Sequence, residues 1–229
     1  MTHDNPLLDA ALLRQIAPYT VAGYALFREI VETDGALPAR IKTLFAAVAA
    51  TNKGHGELAR REMQRAADLG VTLTEAASGL ILLSSLRGEG TALAYKALLD
   101  TVWPQPATTP SPPVQIQPEP GEAENNFKQY FGTVPVPLAH LLRLVPKGAD
   151  AYYLMRKGTI ECNSLDKKYA ELLLVTVLAT DYSPMVATHI RGARAAGASD
   201  QELAEAILCA VSAAGVAAWM GAAALLDTK

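Results

Sequence analysis

The sequence predicts an all-α protein made of two tandem helical modules. Apolar residues recur at spacings of three and four, as in amphipathic helices, and no run alternates strictly enough to predict a strand. The second half of the chain also repeats the first at a spacing of about 127–128 residues. Self-similarity at a fixed spacing indicates that one structural unit has been duplicated.

The repeat is clearest in two segments that each predict a helix. The segment that begins at Leu13 reads LRQIAPYTVAGYALFR, and the segment that begins at Leu142 reads LRLVPKGADAYYLMR. Three residue types coincide between them: Pro18 with Pro146, Tyr24 with Tyr152, and Arg28 with Arg156. We therefore divide the chain into a first, more degenerate module (1–100), a proline-rich extended linker (101–126) and a second module (127–229).

Composition limits the classes of function. The 229 residues carry a net charge of −3 with acids and bases interspersed, so no basic patch for nucleic acid is expected. The first residues lack the basic and apolar regions of a secretory signal, which predicts a cytoplasmic protein. The two cysteines, Cys162 and Cys209, fit no metal or redox spacing, and both are predicted to be small buried residues. Neither a metal nor a cofactor is expected.

One segment has the length and apolarity of a membrane span. Residues 206–226 carry no charge. Their counterpart in the first module, 79–99, includes the polar sequence Arg-Gly-Glu-Gly from Arg87, which predicts a turn between two shorter helices. Gly215 is expected to mark the same turn, so we predict two packed helices and no membrane span.

Helix boundaries are marked by capping residues. Gly197 suits a left-handed C-terminal cap, Ser199 suits the next N-cap, and Glu202 follows it at the spacing of a capping box. Thr72 and Glu75 repeat the box in the first module.

The residues best suited to acid–base chemistry lie between 169 and 197. Glu171 stands in an otherwise apolar helix, and His189 follows 18 residues later, after a break at 181–184. Antiparallel packing of the two helices would let Glu171 meet the imidazole and fix its tautomer, as a general acid or base requires. Tyr182, in the break, could supply a phenol. The same spacing is also compatible with a structural Glu–His pair that holds two helices together.

The sequence around His189 resembles a known family. Residues 189–206 read HIRGARAAGASDQELAEA, and this run, with the preceding LDKKYAELLLVTVLA, is similar to the alkyl hydroperoxidase D and carboxymuconolactone decarboxylase family. The peroxidase branch of that family has Cys-x-x-Cys before its His, and here Tyr182 and Met185 occupy those two positions. Because a peroxide requires a thiolate and a resolving thiol, thiol peroxidase activity is not expected.

The resemblance implies two helical modules that form a homo-oligomer, either a dimer or a trimer. It also implies a cofactor-independent decarboxylase of a small carboxylated or lactone compound. His189, oriented by Glu171, would deliver the proton, and Tyr182 or Arg191 would hold a substrate oxygen. Met185 and His55 are further candidate substrate contacts. Arg191 could equally be a surface residue, and His55 a solvated loop residue.

Two alternatives remain open at this stage. The chain could be a catalytically silent family member that serves as a binding or assembly protein. This alternative is suggested by the missing Cys-x-x-Cys motif and the degenerate first module. In that module Thr43 falls at the position of Glu171, and Arg61 or Glu62 at the position of His189. A peroxidase that uses Cys162 or Cys209 is the third and least favoured hypothesis.

Overall fold

The computed structural model describes residues 5–106, 111–112 and 114–227. Helices account for the regular structure of these residues, and no strand occurs among them, which confirms the predicted all-α class. The helices in chain order are α1 (Ala11–Ile16), α2 (Pro18–Glu32), α3 (Ala39–Asn52), α4 (Gly56–Asp68), α5 (Leu73–Leu86), α6 (Gly88–Val102), α7 (Glu122–Phe131), α8 (Val136–Leu144), α9 (Pro146–Glu161), α10 (Lys167–Thr180), α11 (Val186–Ala195), α12 (Asp200–Cys209), α13 (Val211–Ala214) and α14 (Val216–Ala223).

Contacts divide the chain into two units. The first unit combines the chain up to Trp103 with the chain from Ser164 onward, and the second unit is Pro104–Asn163. This division by contacts differs from the tandem division into 1–100, 101–126 and 127–229, because helices from both sequence modules share the core of the first unit. The duplication itself stays a prediction from the sequence.

Two central helices, α3 and α10, form the core of the first unit. Residues 171–180 of α10 are all buried, and so is nearly all of α3. Burial on every side is typical of a helix at the centre of a core. The buried threonine hydroxyls of α3 form hydrogen bonds within the helix. Thr43 donates to the Ala39 carbonyl, and Thr51 donates to the Ala47 carbonyl. Apolar residues of both helices belong to one hydrophobic core.

The C-terminal ends of α3 and α10 are joined by side chains. Asn52 Nδ2 donates to Thr180 Oγ1 at 2.5 Å and to Asp181 Oδ1 at 3.0 Å. Asp181 also pairs with Arg87, whose Nη1 lies 3.1 Å from Oδ2. These contacts fix the register of the two central helices.

The predicted caps and the predicted break are found. Thr72 with Glu75 and Ser199 with Glu202 form complete capping boxes at the starts of α5 and α12. Gly215 adopts a φ of 74° between α13 and α14, so the uncharged segment 206–226 is divided among short helices. In the part of the chain that the structure describes, no helix has both the length and the apolarity to cross a bilayer.

The second unit has its own small core. Phe127, Leu138 and Tyr153 are buried together, with Ala123 and Ala149 between them. The Tyr153 hydroxyl donates to Glu122 Oε1 at 2.5 Å, which ties α9 to the start of α7. Phe127 therefore has a packing role in this core.

A buried carboxylate holds the loop between α2 and α3. Glu205, on α12, accepts the amides of Ala36 and Leu37 at 2.8 and 2.9 Å, and it pairs with Lys42 Nζ at 2.9 Å. Burial alone raises the pKa of Glu205, but the Leu37 amide, the Lys42 ammonium and the Ala36 amide outweigh it, so the net pKa is lowered.

We predict that Glu205→Gln lowers the free energy of unfolding by about 3 kcal/mol at neutral pH, because it leaves the buried Lys42 ammonium without a counter-charge. A carboxyl with a lowered folded pKa contributes stability above its unfolded pKa, near 4.5, and loses that contribution as pH falls through the folded pKa. The difference between wild type and variant should therefore shrink below pH 4.5, as measured by urea unfolding across pH. The exposed control Glu57→Gln should change little at any pH.

Candidate active site

Glu171 places a carboxylate inside the apolar packing of α10. The helix begins after Asp166, whose side chain accepts the Lys168 amide as an N-cap, and Glu171 lies one turn further on. Its side chain is only 9% exposed, and leucines follow it directly in the core. An ionised carboxylate at such a depth requires a charged or hydrogen-bonding partner.

His189 is that partner. Its Nδ1 lies 2.9 Å from Glu171 Oε2, across the seam between α10 and α11. Because an ionised carboxylate can only accept, Nδ1 carries the hydrogen of this bond. The pair therefore selects the tautomer in which Nε2 has the free lone pair of the neutral ring, or a second N–H when the ring is protonated.

The remaining ring nitrogen is available for chemistry. Among the described residues, Nε2 of His189 has no hydrogen-bond partner, and the side chain is 16% exposed. The neighbouring residues Ile190 and Ala193 are fully buried and anchor α11 to the core. The imidazole is thus held at Nδ1 by Glu171, and Nε2 stays unpaired among the described residues.

Gly192 was not predicted as a site residue, yet it makes the close approach of α11 to Glu171 possible. A Cβ built on Gly192 would lie 2.7 Å from Glu171 Oε2, closer than real contacts allow. The glycine stands inside a helix, where it costs about 1 kcal/mol relative to alanine. A glycine inside a predicted helix, three residues after His189, is the sequence signal that could have identified this position.

Tyr182 makes its contacts elsewhere. It is the one described non-glycine residue with positive φ, at 53°, in the turn between α10 and α11. Its hydroxyl donates to the Ala214 carbonyl at 2.7 Å, and Lys53 Nζ lies 5.5 Å from its ring centroid. The side chain is half exposed and makes no hydrogen bond to Glu171 or His189.

The other candidate residues lie around the two turns. His55 Nε2 is 3.0 Å from the Ala213 carbonyl, so His55 and Tyr182 hold adjacent carbonyls at the end of α13. Arg191 is exposed, and its nearest hydrogen-bond partner is Thr188 Oγ1, at 3.5 Å. Met185 is half exposed in the turn before α11. Of the predicted site residues, the fold brings only Glu171 and His189 into direct contact.

The comparison with protein families covers this region. Residues 146–228 match the model of the carboxymuconolactone decarboxylase family. That part of the chain is similar to the family. The match includes α10 and α11 with both members of the Glu–His pair, and the resemblance expected from the sequence is confirmed.

A solved structure supports the same fold. It is a protein from Burkholderia xenovorans LB400 whose assignment as a gamma-carboxymuconolactone decarboxylase subunit is provisional. The TM-score is 0.62 at 20% sequence identity, with 99% of this chain and 93% of the other covered. At this identity the likeness concerns the fold. No curated protein sequence matches the chain.

The first sequence module has no acid–base pair at the corresponding place. Thr43 donates its hydroxyl to the Ala39 carbonyl. Glu62 is fully buried and forms an ion pair with Arg28 at 2.9 Å. Neither group offers an imidazole, so the pair on α10 and α11 has no counterpart in α3 and α4.

The cysteines differ from each other. Cys209 is buried, as predicted, and burial raises the pKa of its thiol to about 12. Its Sγ donates to the Glu205 carbonyl at 3.2 Å. The prediction that Cys162 is buried is wrong, because Cys162 ends α9 as its C-cap and lies exposed. That prediction relied on the general tendency of free cysteines to be buried, which does not apply to a residue at an exposed helix end.

We predict that Gly192→Ala separates α11 from Glu171 and lowers the free energy of unfolding by about 2 kcal/mol, because a new methyl group must displace a buried carboxylate. Gly23→Ala is the matched control, since nothing lies within 4 Å of a Cβ built at that helical glycine. The control should be stabilising by up to about 1 kcal/mol through helix propensity alone. Equal shifts of both variants in urea unfolding would contradict the prediction.

Proposed function

We propose that the chain is a cofactor-independent decarboxylase that acts on a small carboxylated or lactone compound. The observation that carries this proposal is the 2.9 Å contact between His189 Nδ1 and Glu171 Oε2, with Nε2 left without a partner among the described residues. The family match of residues 146–228 supports the same class of reaction. We further propose that the protein acts in the cytoplasm as a homo-oligomer, a dimer or a trimer.

The proposed reaction needs one proton at a defined place. The bond between the substrate carbon and its carboxylate breaks, carbon dioxide leaves, and the electron pair passes into a conjugated carbonyl. The resulting enolate then takes a proton on carbon from the Nε2–H of protonated His189, which becomes neutral. Glu171 stabilises the imidazolium before that transfer, as a buried carboxylate beside Nδ1 does.

The surrounding residues have subsidiary roles in this proposal. Arg191 is the nearest cation along α11, and its single 3.5 Å contact leaves the guanidinium able to bind a substrate oxygen. Tyr182 would have to release the Ala214 carbonyl before its phenol could do the same. Met185 and His55 would contact substrate from the turns before α11 and α4.

One observation favours a second candidate function, that of a catalytically silent binding or assembly protein. The module with α3 and α4 carries a buried ion pair where the other module carries the Glu–His pair, so one copy of the fold persists without acid–base residues. Under this hypothesis Glu171 and His189 would serve as a structural pair. A thiol peroxidase is less well supported, since the Cys209 thiol is buried with a raised pKa.

The test measures carbon dioxide release from gamma-carboxymuconolactone and from related small lactone acids. We expect His189→Ala to lower kcat by about a hundredfold or more, because the variant lacks the proposed proton donor. Glu171→Gln should also lower kcat, since a neutral amide does not stabilise the imidazolium. His140→Ala, which changes an exposed histidine, is the control and should retain full activity.

The outcome separates the two candidate functions. Turnover that survives in a folded His189→Ala protein would remove His189 from the mechanism. The absence of turnover in the wild type, together with loss of helix content in both His189→Ala and Glu171→Gln by circular dichroism, would identify the pair as structural.

A further inference from the structure

Arg156, in the second unit, holds a positive charge that no acidic side chain of the described residues pairs with. Its Nη1 donates to Asn126 Oδ1 at 2.6 Å, and its guanidinium carbon lies 3.4 Å from the centroid of the Tyr130 ring. Among the described residues it forms no ion pair, and its Nη2 is buried without a hydrogen-bond partner. A buried donor of this kind is costly to leave unsatisfied.

A second helix shows which partner an arginine at this position takes. Both α2 and α9 begin with proline and carry an arginine ten residues later, Arg28 and Arg156. Arg28 Nη2 contacts two carboxylates, those of Glu32 at 2.7 Å and Glu62 at 2.9 Å. The equivalent of Glu32, four residues after the arginine, is Ile160 in α9. The arginine therefore has the same position in both helices, but α9 has the apolar Ile160 where α2 has the carboxylate of Glu32.

Arg156, Tyr130 and Ile160 line a groove of about 230 Å³ on the second unit. Ile160 is 44% exposed in it, and the Tyr130 ring supplies a second apolar surface. Lys157 adds a positive charge that Glu122 partly offsets at 3.2 Å, and Glu161 is the acidic residue of the groove. The groove is smaller than most ligand-binding sites, which suits a compact organic acid and excludes a nucleotide-sized cofactor.

We propose that this groove binds a small organic carboxylate. The carboxylate would take the place at Arg156 that Glu32 and Glu62 occupy at Arg28, and the apolar body of the ligand would lie against Ile160 and Tyr130. Arginine held rigidly by stacking and by a side-chain amide is well suited to a planar carboxylate, because little side-chain entropy remains to be lost on binding. This site is additional to the proposed decarboxylase site and does not depend on it.

The test uses benzoate as the probe, with calorimetry on the full-length protein. We expect benzoate to bind, benzamide not to bind, and inorganic phosphate to bind more weakly than benzoate. Arg156→Gln should weaken benzoate binding at least about tenfold, since a charged partner of the carboxylate is lost. Arg143→Gln is the matched control, because it changes an exposed arginine of the same unit that forms no ion pair among the described residues.

A second variant keeps the proposal testable if Arg156→Gln fails to fold. Ile160→Glu restores the carboxylate that Glu32 supplies to Arg28, so it should raise the melting temperature of the free protein and abolish benzoate binding. Benzoate binding that persists in both variants would overturn the proposal. Equal affinity for benzamide or for phosphate would overturn the assignment to an organic carboxylate. Loss of binding in His189→Ala, with Arg156→Gln unaffected, would place benzoate at the other site and also overturn it.

Discussion

The burial of α3 and α10 on all sides is the constraint on which the first unit depends. Two helices that expose almost no surface must satisfy every polar group within the protein. Thr43 and Thr51 do so by donating to carbonyls of their own helix, and Thr176 lies 2.8 Å from the Ala206 carbonyl of α12. A carboxylate in such a helix is stable only beside a matched donor. Glu171 is the one acidic residue in α10, and its position therefore determines where a neighbouring helix has to bring a partner.

The buried glutamates among the described residues all pair with basic side chains, as Glu202 does with Lys168. Glu62 pairs with Arg28, Glu205 with Lys42, and Glu171 with His189. The partners differ in what they can do, because arginine and lysine stay charged near neutral pH whereas histidine can exchange its proton. The first two pairs therefore hold helices together, and the third can also carry out acid–base chemistry. Of the pairs with Arg28, Lys42 and His189, only the last includes a side chain of a type that commonly exchanges protons near neutral pH.

Glycine provides the space for two of these carboxylates. A Cβ on Gly35 would approach within 2.4 Å of a Glu205 oxygen, and one on Gly192 within 2.7 Å of a Glu171 oxygen. In both places the backbone of a neighbouring segment comes close to a charged group, and only a residue without a side chain leaves room for it. The close approach shields the carboxylates from water, which strengthens their interaction with Lys42 and His189.

Sequence alone determined the features that depend on neighbours within one or two helical turns. These are the all-α class, the two capping boxes, the break at Gly215, and the placement of Glu171 and His189 on successive helices, which put the two side chains in reach of each other. Only the tertiary structure decided which groups meet across longer distances. It turned the Tyr182 hydroxyl to the Ala214 carbonyl, exposed Cys162 at a helix end, and divided the chain into units that do not follow the repeat. The physical reason is that periodicity and capping are local, whereas a hydrogen bond or a clearance between helices depends on how whole elements pack.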